Sequence, residues 1–277
     1  MRFTCIICGK ENDGDNPVHR EMQFCAGCGS IPRFRGLMLA VMTHVLKDTS
    51  RPLLDVPRHP EIKGIGVSDS ATYADVLAER FSYTNTYYHT DPHLDLCQEN
   101  SAAKYSNLDF IICSDVIEHT AAVPHRVLRN MVAMLRPGGI VILSAPTYYL
   151  PDTIEHYPRA TRLEIVECGG SYEVRWSDAN GIERVDHAPD FHGGPGSTLE
   201  MREIAHEALL QDGIDEGFIV ETLPFREELG YWWPIDNAYP RPEGGLDGRI
   251  VVMKKPEAAS RNVAFPKALK KMIRRVA

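Results

Sequence analysis

The sequence predicts an α/β fold: a doubly wound parallel sheet with a metal-binding knuckle ahead of it and a small antiparallel β insertion inside it. Three observations carry that expectation. Short apolar segments alternate with helix-period segments between residues 62 and 144. Four cysteines, Cys5, Cys8, Cys25 and Cys28, form two Cys-x-x-Cys pairs. Within residues 148–198 the alternation is interrupted by strand-like segments joined at Gly169-Gly170 and Asn180-Gly181.

The cysteine pairs are separated by 16 residues, which is the ligand arithmetic of a structural zinc site. Two closely spaced thiolates can each take one edge of a tetrahedron, and Gly9, Gly27 and Gly29 are expected to supply the positive φ angles of the two tight turns. Reduced structural thiols or a redox couple are the alternatives. A knuckle of residues 1–31 buries too little apolar surface to fold alone, so metal would supply much of its folding free energy. The spacing therefore predicts about one zinc per chain.

After Pro32, residues Phe34, Leu37, Met38, Val41, Val45 and Leu46 recur at helical spacing, which predicts a helix docking the knuckle on the body. Arg33 and Arg35 at its start can hold a phosphate or carboxylate, or can simply be solvated. The body, residues 32–256, then reads as strand 62–67, helix 73–81, strand 84–88, strand 109–113, helix 123–135 and strand 140–144. Pro137, Gly138 and Gly139 stop the second of these helices. The insertion reads as a meander of segments 162–168, 172–176 and 182–186. A glycine-rich loop, Phe191 to Arg202, leads into an expected helix and is either an anion cradle or a lid hinge. Segments 218–223 and 249–253 complete the sheet.

Two stretches look familiar. Asp109-Phe-Ile-Ile-Cys-Ser-Asp-Val-Ile-Glu-His119 and Leu135-Arg-Pro-Gly-Gly-Ile-Val-Ile-Leu-Ser-Ala-Pro146 resemble the fourth and fifth strands of class I S-adenosylmethionine-dependent methyltransferases. The resemblance covers residues 60–146 well and 199–255 loosely. It implies a Rossmann-like sheet of seven strands, S-adenosylmethionine as methyl donor, and an oxygen or nitrogen of a small-molecule or sugar-like acceptor as target.

One loop departs from the family pattern. Where the family carries Gly-x-Gly-x-Gly, this chain has Gly64-Ile-Gly-Val-Ser-Asp-Ser70 before the helix bearing Tyr73. Gly64 and Gly66 would let the backbone approach the donor. Ser68, Asp69 and Ser70 would offer it hydroxyl and carboxylate groups, or else only cap the helix. By placement, Asp91 in His89-Thr-Asp-Pro92 would accept both ribose hydroxyls, with Asp95 the neighbouring candidate, while Ser114 and Asp115 would line the pocket floor or serve as packing. Methyl transfer to a hydroxyl or amine needs proton removal, for which His119, His192 and Tyr148 are the candidates. Tyr231, Trp232 and Trp233 either wall the acceptor pocket or belong to the core.

Composition bounds the rest. The chain has 277 residues, 43% hydrophobic and 25% charged, and no apolar run near the roughly 20 residues that a membrane span needs. A net charge of −8 argues against broad nucleic-acid binding, and thiols available to metal suit a reducing, cytoplasmic setting. Cys97, Cys113 and Cys168 are expected to be packed. In the tail, residues 257–277, Lys267, Lys270, Lys271, Arg274 and Arg275 interleave with Leu269, Met272, Ile273 and Val276. This is a basic amphipathic helix, suited to weak peripheral contact with an anionic membrane or acidic partner, or merely solvated. Against the methyltransferase reading stands a non-catalytic zinc-knuckle adaptor that binds protein or nucleic acid. A nicotinamide oxidoreductase is disfavoured, because no Gly-x-Gly-x-x-Gly follows a strand.

Overall fold

A computed structural model describes residues 1–17, 19–234 and 246–257. The basic tail expected at the C-terminus falls almost wholly outside them.

Strands β1 (Arg2–Thr4) and β2 (Glu11–Asp13) pair antiparallel on either side of the first of two cysteine turns of the same design. In each turn the first cysteine amide donates five residues ahead, Cys5 to Lys10 O at 3.0 Å and Cys25 to Ser30 O at 2.9 Å. The glycine amide donates back, Gly9 to Cys5 O at 2.8 Å and Gly29 to Cys25 O at 2.9 Å. Gly9 and Gly29 take φ of 75° and 70°, the left-handed values that this closure requires. Gly27 does not share them. It is needed for space, since a Cβ there would lie 2.9 Å from the Cys8 sulfur.

The knuckle is built into the body. Ile6 and Ile7 are buried in one cluster with Leu37, Met38 and Phe110, and their carbonyls accept the Leu53 and Leu54 amides at 2.8 and 3.0 Å. Helix α1 (Pro32–Ala40) begins on its proline and continues through residues 41–46 in a wider π turn. Arg35 on α1 is fully buried, stacked on Phe3 and donating to the carbonyls of Gly230, Ser30 and Gln23. Solvation of Arg33 and Arg35 is thus corrected: Arg35 is buried and the Arg33 side chain is 12% exposed, because fixed oxygens surround them.

The body follows as β3 (His59–Val67), α2 (Ala71–Arg80), β4 (Phe81–Thr86), α3 (Ser101–Lys104), β5 (Leu108–Ser114), α4 (Pro124–Met134) and β6 (Leu135–Ser144). The insertion holds β7 (Thr147–Tyr148), β8 (Ile154–Glu155), a meander of β9 (Ala160–Cys168), β10 (Ser171–Asp178) and β11 (Glu183–Asp186), then β12 (Phe191–His192) and β13 (Thr198–Leu199). The chain returns through β14 (Arg202–Ala205), α5 (His206–Asp215), β15 (Ile219–Thr222) and β16 (Val251–Lys254).

The main sheet has the order β15-β16-β6-β5-β3-β4, with β3 to β6 parallel and β16 running antiparallel to both its neighbours. It has six strands among the described residues, not the seven expected. Beyond β4, residues 87–100 form turns and a bridge from Tyr87 to His93 where a further edge strand would lie. Both faces of the sheet are covered. Phe110 and Ile112 face α1 and α2 with Leu37 and Leu77, whereas Ile111 and Cys113 face α4 and α5 with Met131 and Leu209.

Two further expectations change, and one open alternative is decided. The glycine-rich loop closes the β12–β13 hairpin, and the helix expected directly after it begins only at His206, because residues 202–205 pair with β7 and β8. Tyr231 and Trp233 are core, edge-packed on each other and on Phe225, while Trp232 is half-buried. Of the remaining cysteines only Cys113 is buried, and Cys97 and Cys168 are half-exposed.

Candidate active site

The chain leaves β3 for β4 on one side and returns to β5 on the other, so the topological switch point, where open α/β sheets form their ligand crevice, lies at the carboxyl ends of β3 and β5. Ser68 leaves β3 in the left-handed region, φ 58°, with its amide donating to Thr86 O at 2.7 Å. Ser70 caps α2 by accepting from the Thr72 amide. Asn85 clamps the loop by accepting from the Asp69 amide and donating to its carbonyl, both at 2.9 Å.

Asp69 turns inward. Its carboxylate is buried and accepts hydrogen bonds from the hydroxyls of Tyr73 and Tyr83. Burial pushes its pKa up to about 7 against the pull of those two donors. Gly66 gives it room, since a Cβ there would sit 1.9 Å from the Tyr83 oxygen and 2.2 Å from Asp69 Oδ2. Gly64 and Tyr73 are likewise buried, so in this loop the open polar groups are Ser68 and Ser70.

At the end of β5, Asp115 stands in the left-handed region, φ 52°. It accepts from Arg20 at 2.6 Å and from the Ser144 hydroxyl at 2.9 Å, with Arg33 Nε at 3.3 Å. Burial alone would raise its pKa, but the two guanidinium groups outweigh that and hold it at about 2. Arg33 also bonds Ser114 and Glu21. Asp91 is exposed beyond β4, and Asp95 accepts from the Cys97 amide at 2.8 Å. Arg20 and Arg33 are part of this edge, and Arg20 carried no sequence signal: it sits between the cysteine pairs, 95 residues from its partner.

A second group of side chains follows β5. Glu118 is fully buried, and neither of its carboxylate oxygens has a hydrogen-bond partner. His119 Nδ1 lies 2.7 Å from Leu199 O, and a carbonyl only accepts, so Nδ1 carries the proton and Nε2 its lone pair. Burial lowers the His119 pKa, which keeps the ring neutral near pH 7. His192 Nε2 lies 2.7 Å from Glu200 Oε2, and the two imidazoles meet edge to face at 4.5 Å. The β12–β13 hairpin thus brings His192 to His119, 73 positions away in the chain. Tyr148 is buried on β7, opposite Ala205, outside this cluster.

The four cysteine sulfurs lie within 4.8 Å of one another, with Cys5–Cys28 at 3.7 Å and Cys8–Cys25 at 3.6 Å. Sulfurs at about 2.3 Å from a tetrahedral zinc are about 3.8 Å apart, so the donor set fits that ion. A cavity of about 480 Å³ lies between the insertion and the chain beyond His119, lined by Ala121, Val123, Tyr157, Arg159, Arg162 and Arg202 among others.

Residues 54–180 match the family described as a methyltransferase domain. The match runs from the start of the sheet into the meander. Among solved structures the chain is similar to S-adenosylmethionine-bound CalS10, an amino pentose methyltransferase from Micromonospora echinaspora. That likeness has 14% identity over 86% of this chain and 99% of that one, with a TM-score of 0.40. DesVI of Streptomyces venezuelae matches at 13% identity over 70% and 84%, TM-score 0.37. The 1,6-didemethyltoxoflavin-N1-methyltransferase of Burkholderia thailandensis matches at 12% over 79% and 86%, TM-score 0.36. No curated protein matches the chain by sequence. No helix among the described residues is long and apolar enough to cross a membrane.

Proposed function

We propose that this protein is an S-adenosylmethionine-dependent methyltransferase acting on an oxygen or nitrogen of a small-molecule or sugar-like acceptor. The observation that carries the reading is the methyltransferase-domain match over residues 54–180, joined to an edge crevice whose loops offer polar groups. The donor would supply a methyl group on a sulfonium, which passes to the acceptor lone pair as the carbon–sulfur bond breaks.

The chain's own residues divide the remaining work. Ser68, Ser70 and Asp91 are exposed or half-exposed around the crevice, and Asp91 accepts hydroxyl hydrogens there. Asp69, Tyr73 and Gly66 hold the loop from beneath. Ser114 and Asp115 form the floor, and Arg20 and Arg33 cross it. The cavity of about 480 Å³, lined by Tyr157, Arg159 and Arg202 and by none of these crevice residues, is of the size that small-molecule sites have. His119, neutral and with Nε2 unprotonated, removes the acceptor proton. The cysteine knuckle holds a structural zinc and fixes Arg20 and α1 against the crevice.

One observation favours a second reading, a non-catalytic adaptor. Asp69 and Tyr83 already fill the space beside Gly66 that a donor-binding glycine loop would leave open. Titration calorimetry with S-adenosylmethionine and S-adenosylhomocysteine decides between the two. Micromolar binding weakened by Asp91→Ala upholds the enzyme, and no binding by zinc-loaded protein upholds the adaptor.

A further inference from the structure

We propose a second metal site in this chain, formed by Glu118, His119 and His192 and suited to a first-row divalent ion, separate from the four-cysteine cluster. The argument begins with protons. His119 spends its only ring hydrogen on Leu199 O, so Nε2 presents a lone pair. His192 Nε2 faces the Glu200 carboxylate, which accepts its hydrogen, so Nδ1 presents a lone pair as well. Both lone pairs converge on Glu118 Oε1, at 3.7 Å from His119 Nε2 and 4.0 Å from His192 Nδ1. No donor stands among them, and neither Glu118 oxygen has any hydrogen-bond partner, although the residue is fully buried.

An arrangement of three acceptors around one point is costly unless a proton or a cation sits among them, and a divalent ion satisfies all three at once. The ligand atoms all lie within 4.8 Å of one another. Donors about 2.1 Å from a tetrahedral ion are about 3.4 Å apart, so its entry would draw the cluster in by about half an ångström. The outer partners are those that metal-bound imidazoles use: a backbone carbonyl behind His119 and a carboxylate behind His192. Glu200 is itself 4.0 Å from His156 Nε2, a buried nitrogen without a hydrogen bond. Two imidazoles and one carboxylate suit zinc, iron(II) or manganese(II), and three protein ligands leave coordination positions open. On the methyltransferase reading, an acceptor oxygen bound at an open position would lose its proton more readily, and His119 would act as ligand instead of base.

The test is manganese(II) titration of full-length protein carrying one zinc per chain, which the four thiolates take first, followed by electron paramagnetic resonance; nitrogen and oxygen sites take manganese, and a filled thiolate site does not. One equivalent should bind. His192→Ala and His119→Ala should each weaken binding at least 100-fold, and Glu200→Gln about tenfold, while zinc at the cysteines stays at one per chain and confirms folding. Wild-type protein that binds no manganese, or a folded His192→Ala variant that binds it as tightly as wild type, overturns the site. The readout uses no methyl donor, so failure of the methyltransferase reading would leave this result standing, and the reverse.

Discussion

Arg20 donates to Asp115 at 2.6 Å, and this bond ties the segment between the two cysteine pairs to the carboxyl end of β5. The Arg20 side chain is 5% exposed, so the knuckle places a guanidinium group in the interior of the crevice edge. The four-cysteine segment and the candidate active site are therefore mechanically one unit.

Removing this arginine should be felt through Asp115. Arg20→Ala leaves the carboxylate with Arg33 and Ser144 alone, and should cost about 2 kcal/mol at pH 7 by denaturant unfolding. Asp115 is held at about 2, below its ordinary 3.8, so its contribution is present above pH 3.8 and is lost as pH falls through 2. The gap between wild type and variant should close over that window; a constant gap at every pH would show that Arg20 acts by packing alone.

Asp69 should shape stability with the opposite sign. Its folded pKa of about 7 lies above the ordinary 3.8, so its contribution is full below pH 3.8 and is lost as pH rises through 7. Wild type should lose about 1 kcal/mol per pH unit relative to Asp69→Asn across that interval. Parallel stability curves for the two proteins would remove Asp69 from the account.

Gly66→Ala should destabilise by about 3 kcal/mol, because the added carbon meets the Tyr83 oxygen at 1.9 Å. Adding Tyr83→Phe deletes that oxygen but leaves Asp69 Oδ2 at 2.2 Å, so the double variant should recover only part of the loss. Full recovery in thermal melts would mean that the carboxylate moves aside freely.

Stripping the cysteine cluster should lower the melting temperature of the whole protein in one transition. Ile6 and Ile7 belong to the cluster that also holds Phe110 and Ile142 of the sheet, so the knuckle has no core of its own to lose separately. Two resolved transitions in calorimetry with a chelator would contradict this coupling.

Asp91→Ala should weaken S-adenosylmethionine binding about tenfold with an unchanged melting temperature, since the side chain is exposed and its loss leaves no buried gap. Equal affinities in calorimetry would move the ribose contact to another residue.

The alternation of apolar segments made the strand and helix order legible, because each parallel strand is buried on both faces and reads as an apolar run such as Phe-Ile-Ile-Cys. Cysteine spacing exposed the thiolate cluster for a similar reason: its ligands are close in the chain. Among the described residues the sheet shows six of the seven strands expected, and an edge strand adds few buried residues and so leaves little trace in the pattern. Glu118, His119 and His192 were legible as residues but not as a cluster, since His192 arrives on a hairpin at the end of a long insertion.

The chain's local chemistry alone thus determined where most strands and helices of the main sheet and the two cysteine turns lie, because periodicity and turn residues act over a few positions. Which polar groups face the crevice was decided by tertiary structure. The sequence offers Asp69 and Asp115 as similar carboxylates, yet two tyrosines enclose the first at about 7 and two arginines hold the second at about 2. The difference is one of surroundings brought from distant segments, and burial converts it into charge.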